Sequence, residues 1–200
     1  GLGDVYKRQI LEHGIGFDGS NYGYAMVENS DMVFIPDIST AVVDPFVKVP
    51  TLTMIGDVKV IDQPMNRPFA QYPRNVAKRA VEYMKETEIA DEMIIGPEYE
   101  FHVFDGVSVS EKPNEIALRI YDKESVWTAN MPAEENNGFH TPPHGGYHAD
   151  QPSDVTFNLR NEMCMEMEKW GVHVKYHHHE VGGSGQLEIC LLYTSDAADE

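Results

Sequence analysis

Cysteines are scarce in this sequence. Its 200 residues include only Cys164 and Cys190, which are too few for a disulfide framework and lack the spacing of a zinc site or a redox pair. No apolar run is long enough to span a bilayer, and neither end shows the features of a signal peptide. We therefore expect a cytoplasmic protein without a membrane partner.

Basic residues and phosphate-binding loops are also lacking. Lysine and arginine total 15 against 33 aspartates and glutamates, which gives a formal net charge of -18. Binding to a nucleic-acid backbone needs clustered basic residues, so we predict no nucleic-acid partner. The chain contains no GxxxxGK[ST] loop, GxGxxG fingerprint or serine elbow. Any bound ATP must therefore rely largely on metal ions held by carboxylates.

Both ends resemble translations of the adaptor used in transposon-based sequencing libraries. The matching stretches are GDVYKRQ at residues 3–9 and CLLYTSDAADE at residues 190–200. Such segments do not belong to a native fold. We therefore assign residues 1–9 and 190–200 to adaptor sequence and residues 10–189 to the protein itself; an unusual natural terminus is the alternative.

Composition divides the native part near its first third. Residues 34–60 are rich in Val, Ile, Thr and Phe and are broken by prolines, which predicts short strands and turns. Residues 62–72 contain two prolines and little periodicity, which indicates a domain boundary. A sheet-rich first domain followed by a second domain is expected.

Two helices and one irregular stretch are predicted in the second part. Asn75 is expected to cap the first helix, and the second is expected to start near Ser153 and to end at Gly171. Residues 112–146 are polar and show little regular pattern. Long loops of this kind are uncommon in compact domains and are usually functional or mobile.

Two glutamates near the centre of the chain form a candidate metal pair. Glu98 and Glu100 lie two residues apart in GPEYEF, and in a strand this spacing points both side chains to one face. Adjacent carboxylates raise each other's pKa unless a cation compensates their charge. The same pattern is also found on solvated strand faces, so the pair alone does not establish a site.

A second pair of glutamates follows in VHVKYHHHEVGGSGQLEI. The alternation predicts a strand ending at Glu180, a glycine-rich reversal, and a second strand that returns Glu188 close to Glu180. Four glutamates then converge on one cavity, and carboxylate oxygens suit Mg²⁺ or Mn²⁺. A surface metal patch formed by the three consecutive histidines is the alternative.

Seven blocks of this sequence resemble type I glutamine synthetases, in the family's order. The blocks are GFDGSNYGYAMVENSDMVFIPD, VDPF, PRNVAKRAVEYM, GPEYEFHVFD, GGYH, RNEMCMEME and HHHEVGGSGQLEI. The resemblance implies an α+β fold, with a partial β-grasp-like amino-terminal domain at residues 10–71 and the first part of a catalytic domain at residues 72–189. It also implies a homo-dodecamer of two stacked hexameric rings, with active sites between subunits.

The resemblance further implies the reaction and its metals. The family uses ATP to phosphorylate the side-chain carboxylate of glutamate, and ammonia then displaces phosphate to give glutamine. Two Mg²⁺ or Mn²⁺ ions are implied at each active site. One would be held by Glu100, Glu180 and Glu188, and the other would be held in part by Glu98.

Three more positions receive roles from the resemblance. Asp18 is expected to reach into the neighbouring subunit's site, where Tyr147 and Glu180 help it to hold ammonium and remove its proton. His178 matches a position near the nucleotide and substrate phosphates. Read without the family, these residues are typical of a turn aspartate, a packed tyrosine and a core histidine.

Three positions depart from the family pattern, and the pattern continues beyond this sequence. Asn21 replaces a serine, Leu187 an asparagine and Lys175 a glutamate found in some relatives, so no substrate contact is assigned to these positions. We expect the 200-residue chain to be an inactive piece of an active parent enzyme. A related ligase that joins glutamate to a polyamine or another amine and a non-catalytic synthetase-like structural protein are the alternatives.

Overall fold

The computed structural model describes residues 2–26, 30–62, 64–128 and 140–194. Five predicted features extend outside these described residues: the adaptor-like start at residue 1, the first family-like block at residues 27–29, the domain boundary at residue 63, the irregular stretch at 129–139, and the adaptor-like end at 195–200. Two compact units are present: the first extends to Met93 and also includes Thr194, and the second spans residues 94–193. The domain boundary predicted at residues 71 and 72 stays a prediction.

The first unit is an antiparallel sheet with helices. Its helices are α1 (Leu2–His13) and α2 (Pro73–Glu86), and its strands are β1 (Ile15–Asp18), β2 (Asp31–Pro36), β3 (Val42–Val43), β4 (Leu52–Thr53), β5 (Gly56–Val60) and β6 (Arg67–Pro68). Four strands pair in the order β1-β2-β5-β6. Met32, Val58 and Val60 form its buried core. The short strands predicted over residues 34–60 are confirmed, whereas β6 lies in a stretch predicted to be irregular.

The predicted helix cap at Asn75 is wrong. Helix α2 begins at Pro73, where proline is well tolerated because the missing N–H would have no partner in the first turn. The buried Asn75 side chain instead donates hydrogen bonds to the carbonyl oxygens of Val58 and Phe69, at 3.0 and 2.9 Å. Asn75 therefore ties α2 to the adjoining strand and loop.

The second unit combines a three-stranded sheet, a hairpin and one helix. Its elements are β7 (Ile94–Ile95), β8 (Glu98–His102), β9 (Gly106–Lys112), β10 (Glu115–Tyr121), α3 (Phe157–Lys169), β11 (Val174–His179) and β12 (Gln186–Leu191), and the two-residue β13 (Tyr193–Thr194) begins at its last residue. Strand β12 lies between β11 and β8, antiparallel to both. Mixed helices and sheets in both units agree with the predicted α+β class.

The hairpin of β9 and β10 corrects the prediction of an irregular stretch after residue 112. Its two strands pair along their full length, yet most of their side chains are exposed. A ribbon exposed on both faces does not require the apolar alternation of a half-buried strand. The sequence signal for β10 was therefore weak.

Helix α3 begins four residues later than predicted. Before it, the Asp154 carboxylate accepts hydrogen bonds from the backbone N–H and hydroxyl of Thr156, at 2.9 and 2.7 Å, and this turn occupies the place of a first helical turn. The predicted end is confirmed, since Gly171 follows the helix with φ +75°. Among the described residues, no helix is both long and apolar enough to cross a membrane.

Candidate metal centre

The register of the three-stranded sheet brings acidic residues of two strands into one row. Glu188 on β12 lies opposite His178 on β11 and opposite Glu100 on β8. Directly opposed residues of antiparallel strands point to the same face. In the next row, Cys190 lies between Tyr176 and Glu98, so both glutamates of β8 share a face with Glu188.

Glu180 completes the buried part of this face. Its backbone N–H donates to the carbonyl of Gln186 across the reversal. His178 lies between two carboxylates: Nδ1 is 3.4 Å from Glu180 Oε2, and Nε2 is 3.5 Å from Glu188 Oε2. All three side chains are buried. The geometry concentrates negative charge where water is largely excluded.

Two observations show that these residues fit a divalent cation. Glu180 Oε2 is buried and has no hydrogen-bond partner among the described residues, although such atoms are normally satisfied. The pKa of Glu188 is raised, first by burial and also by Glu180, while a hydrogen bond from Cys190 opposes the shift. A cation bound between the carboxylates would neutralise this charge and supply the missing partner of an oxygen that makes no hydrogen bond among the described residues.

Glu98 and Glu100 form the exposed part of the same face. Both are exposed to solvent, and Glu100 Oε2 accepts a hydrogen bond of 3.1 Å from Gln186 Nε2. The sequence analysis did not single out Gln186. Its position two residues before Glu188, on the same strand face, is the signal that could have identified it. The four predicted metal glutamates thus extend from a buried interior to an open edge.

The GGYH segment packs on the end of β11. His148 donates its backbone N–H to the carbonyl of His179 at 3.0 Å, and its ring stacks on His178 with centroids 4.5 Å apart. The exposed Tyr147 ring meets His178 edge-on at 5.3 Å. A Cβ at Gly146 would lie 2.5 Å from the carbonyl oxygen of Glu180. Only glycine therefore allows this approach, and His148 is a site neighbour that sequence reasoning missed.

Cys190 adds a thiol to the metal face. Ligand atoms of His178, Glu188 and Cys190 all lie within 4.8 Å of one another. Burial is the main reason that the pKa of the Cys190 thiol is raised to about 11, and a protonated thiol is a poor ligand for the hard cations Mg²⁺ and Mn²⁺. Cys190 also begins the stretch predicted to be adaptor-derived, so we leave it out of the ligand set.

Asp18 lies in the first unit, at the end of β1. Its exposed carboxylate accepts hydrogen bonds from the backbone N–H and hydroxyl of Ser20, at 2.9 and 2.7 Å, and so caps the short 3₁₀ helix Gly19–Tyr22. Hydrogen bonds from Ser20 and Ser30 lower its pKa. Locally, Asp18 is the turn residue that the Asp-Gly pair indicates, and its role in ammonium binding stays a prediction.

The three departures from the family pattern have different surroundings. Leu187 is fully buried on the face of β12 opposite Glu188, so it packs in the core of the second unit. Lys175 is exposed, and its ammonium lies 5.2 Å from the centre of the Tyr176 ring. Asn21 is an exposed residue of the short 3₁₀ helix in the first unit.

Two family models match the chain in consecutive order. A model described as glutamine synthetase, beta-Grasp domain, matches residues 3–61, and one described as glutamine synthetase, catalytic domain, matches residues 70–200. These matches confirm the predicted fold class, in which a β-grasp domain precedes an α+β catalytic domain. They also confirm the family resemblance.

Curated relatives and solved structures agree with these matches. Glutamine synthetase of Pseudomonas aeruginosa is 39% identical over 96% of this chain and 41% of its own length. A 3-hydroxylaminophenol mutase of Cupriavidus pinatubonensis is 39% identical over 92% of this chain and 39% of its own. A Plasmodium falciparum glutamine synthetase structure has a TM-score of 0.71 and 26% identity, covering 93% of this chain and 36% of that one. The chain thus spans about two fifths of its relatives' length.

Proposed function

Because this chain belongs to the glutamine synthetase family, we propose that its intact parent is a ligase that uses ATP to join ammonia to L-glutamate. The product is L-glutamine, and the reaction passes through a γ-glutamyl phosphate intermediate. The observation that carries this proposal is the buried carboxylate pair of Glu180 and Glu188 on either side of His178, in register with Glu100.

The proposed ligand set follows the sheet register. Glu100, Glu180 and Glu188 would hold one Mg²⁺ or Mn²⁺ ion, and Glu98, one row further along β8, would contribute to a second. When bound, such ions neutralise the transferring phosphoryl group and polarise its oxygens. His178, stacked between aromatic rings of His148 and Tyr176, orients toward phosphate oxygens of ATP or the intermediate.

The remaining residues handle ammonium. The negative charge of Glu180 favours the cation, and its carboxylate accepts the proton that ammonium must lose before ammonia attacks the intermediate. Tyr147 bounds this pocket beside His178. Asp18, whose pKa is lowered by hydrogen bonds from Ser20 and Ser30, serves the active site of a neighbouring copy in a dodecamer. The proposed setting is the cytoplasm.

The metal assignment predicts measurable binding by the purified chain. We expect Mn²⁺ to bind, and Glu188→Gln to weaken binding at least tenfold, because the substitution keeps the shape but removes the charge of a buried ligand. Electron paramagnetic resonance of free Mn²⁺ measures the affinity. Glu111→Gln, on the exposed β9 strand, is the control with an equal charge change. Its Mn²⁺ affinity should stay within twofold of that of the unsubstituted chain. Equal affinities for all three proteins would contradict the ligand set.

The reaction itself is tested by chromatographic detection of glutamine. With ATP, glutamate, ammonia and Mg²⁺, we expect the intact parent to form glutamine and the 200-residue chain to form none. Parallel reactions with methylamine and putrescine test the amine-ligase alternative, and a parent that prefers either amine would displace our proposal. A parent that binds Mn²⁺ but turns over no amine would favour the structural-protein alternative.

A further inference from the structure

A fully buried glutamate lies behind the metal face. Glu124 has no exposed surface, and its carboxylate is held by three donors. Oε2 accepts from His179 Nε2 at 2.7 Å and from the backbone N–H of Gly185 at 3.0 Å, while Oε1 accepts from the backbone N–H of Val155 at 2.9 Å. Hydrogen bonds to an ionised group are among the stronger ones in proteins.

His179 connects this carboxylate to the strand that ends in Glu180. It is fully buried, and its Nδ1 is 3.1 Å from the carbonyl oxygen of Glu180. The imidazole is therefore held at both ring nitrogens, by the Glu124 carboxylate on one side and by the Glu180 carbonyl on the other.

The contacts of Glu124 fall on both sides of the glycine-rich reversal. His179 directly precedes Glu180, and Gly185 lies three residues before Glu188. The intervening segment contains Gly182 and Gly183 and therefore has little conformational stiffness of its own. A single carboxylate thus ties together the two strand ends that carry the buried metal glutamates.

We propose that Glu124 and His179 are positioning residues of the metal centre, which fix the separation of Glu180 and Glu188 and so favour small divalent cations over larger ones. This inference rests on the proposed metal-dependent function. Mg²⁺ and Mn²⁺ need short, regular coordination, whereas Ca²⁺ tolerates longer and more variable geometry. A loosened reversal should therefore weaken binding of the small ions more than binding of Ca²⁺.

The test compares two buried carboxylates of the same unit, Glu124 and Asp154, in the purified 200-residue chain. Glu124→Gln keeps the shape of the side chain but removes its charge and disrupts its three-donor arrangement. We expect its Mn²⁺ affinity to fall about tenfold, and the ratio of Mn²⁺ to Ca²⁺ affinity to fall at least fivefold. Paramagnetic resonance gives the Mn²⁺ affinity, and Ca²⁺ competition gives the ratio.

Asp154→Asn is the matched control. It disturbs the equally buried pair of Asp154 and Arg160. Among the described residues, neither side chain is hydrogen-bonded to residues 180–185, and the ratio of Mn²⁺ to Ca²⁺ affinity in this variant should stay within twofold of that of the unsubstituted chain. A ratio lowered equally by both substitutions would show a general loss of stability and overturn the inference. An unchanged ratio in Glu124→Gln would also overturn it.

A second variant keeps the test decisive if Glu124→Gln does not fold. His179→Gln retains an amide that can donate to Glu124 but loses the contact with the Glu180 carbonyl, and we expect at least a threefold fall in the same ratio. An unchanged ratio here would again overturn the inference. Absence of Mn²⁺ binding by the unsubstituted chain would instead contradict the proposed function.

Discussion

Replacing Arg160 by leucine is expected to lower the free energy of unfolding of the second unit by about 3–5 kcal/mol, the usual cost of removing one partner from a buried ion pair. Arg160 Nη2 and Nη1 donate to the two carboxylate oxygens of Asp154, at 2.6 and 3.0 Å. Arg160 Nε also donates to His177 Nδ1 at 3.0 Å. The substitution would leave the Asp154 carboxylate buried without its cation.

Helix α3 itself supplies the control for this prediction. Lys169 contacts Glu166 at the same 2.6 Å distance, but the two side chains are 62% and 32% exposed, against 2% and 1% for Arg160 and Asp154. Lys169→Leu should cost less than about 1 kcal/mol, because exposed ion pairs contribute little. Urea denaturation followed by circular dichroism measures both values. Equal losses would show that burial does not determine the strength of the Arg160 pair.

Replacing Gly185 by alanine is expected to lower the free energy of unfolding by about 2–5 kcal/mol. The left-handed conformation at φ +75° costs an alanine about 1–2 kcal/mol, and overpacking adds about 1–3 kcal/mol. The added Cβ would lie 2.5 Å from the carbonyl oxygen of Val103 and 2.6 Å from Asp122 Oδ2. The glycine-rich reversal must move to remove this steric overlap, so the Mn²⁺ affinity should fall as well.

Gly171 separates the two causes of that loss. It has the same φ of +75°, but apart from its chain neighbours no atom of the described residues lies within 4 Å of the Cβ that alanine would add there. Gly171→Ala should therefore cost only about 1–2 kcal/mol, the conformational part, and should leave Mn²⁺ affinity unchanged. Urea denaturation and the Mn²⁺ titration apply to both variants. A loss at Gly171 as large as that at Gly185 would exclude the steric explanation.

Local patterns predicted the strands best where one side of a strand is buried. The alternation around the three histidines predicted a strand, a glycine reversal and a returning strand, and β11 and β12 confirm all three. The exposed strand β10 was missed because no buried face required apolar alternation. Asn75 was misread because its hydrogen-bond partners, the carbonyls of Val58 and Phe69, lie outside its own helix, 17 and 6 residues before it.

In the candidate site too, local features were predicted from the sequence and contacts between distant segments were not. Two-residue periodicity is a local property, and it predicted that Glu98 and Glu100 share a strand face. A tight reversal is also local, and it predicted that Glu188 returns close to Glu180. Pairing between β8 and β12 placed Glu100 opposite Glu188, which depends on a strand register that no local pattern specifies. Glu124 gave no sequence signal at all, because its partners His179 and Gly185 are 55 and 61 residues away.

The sequence by itself determined the family, the order of the two domains, and the acidic residue types suited to a hard cation. Tertiary structure alone decided which carboxylates are buried, and that the buried Glu124 accepts hydrogen bonds from residues on both sides of the glycine-rich reversal. The physical reason is that residue type and local periodicity are properties of short stretches of the sequence. Burial, strand register and the pairing of charges arise only when distant segments meet.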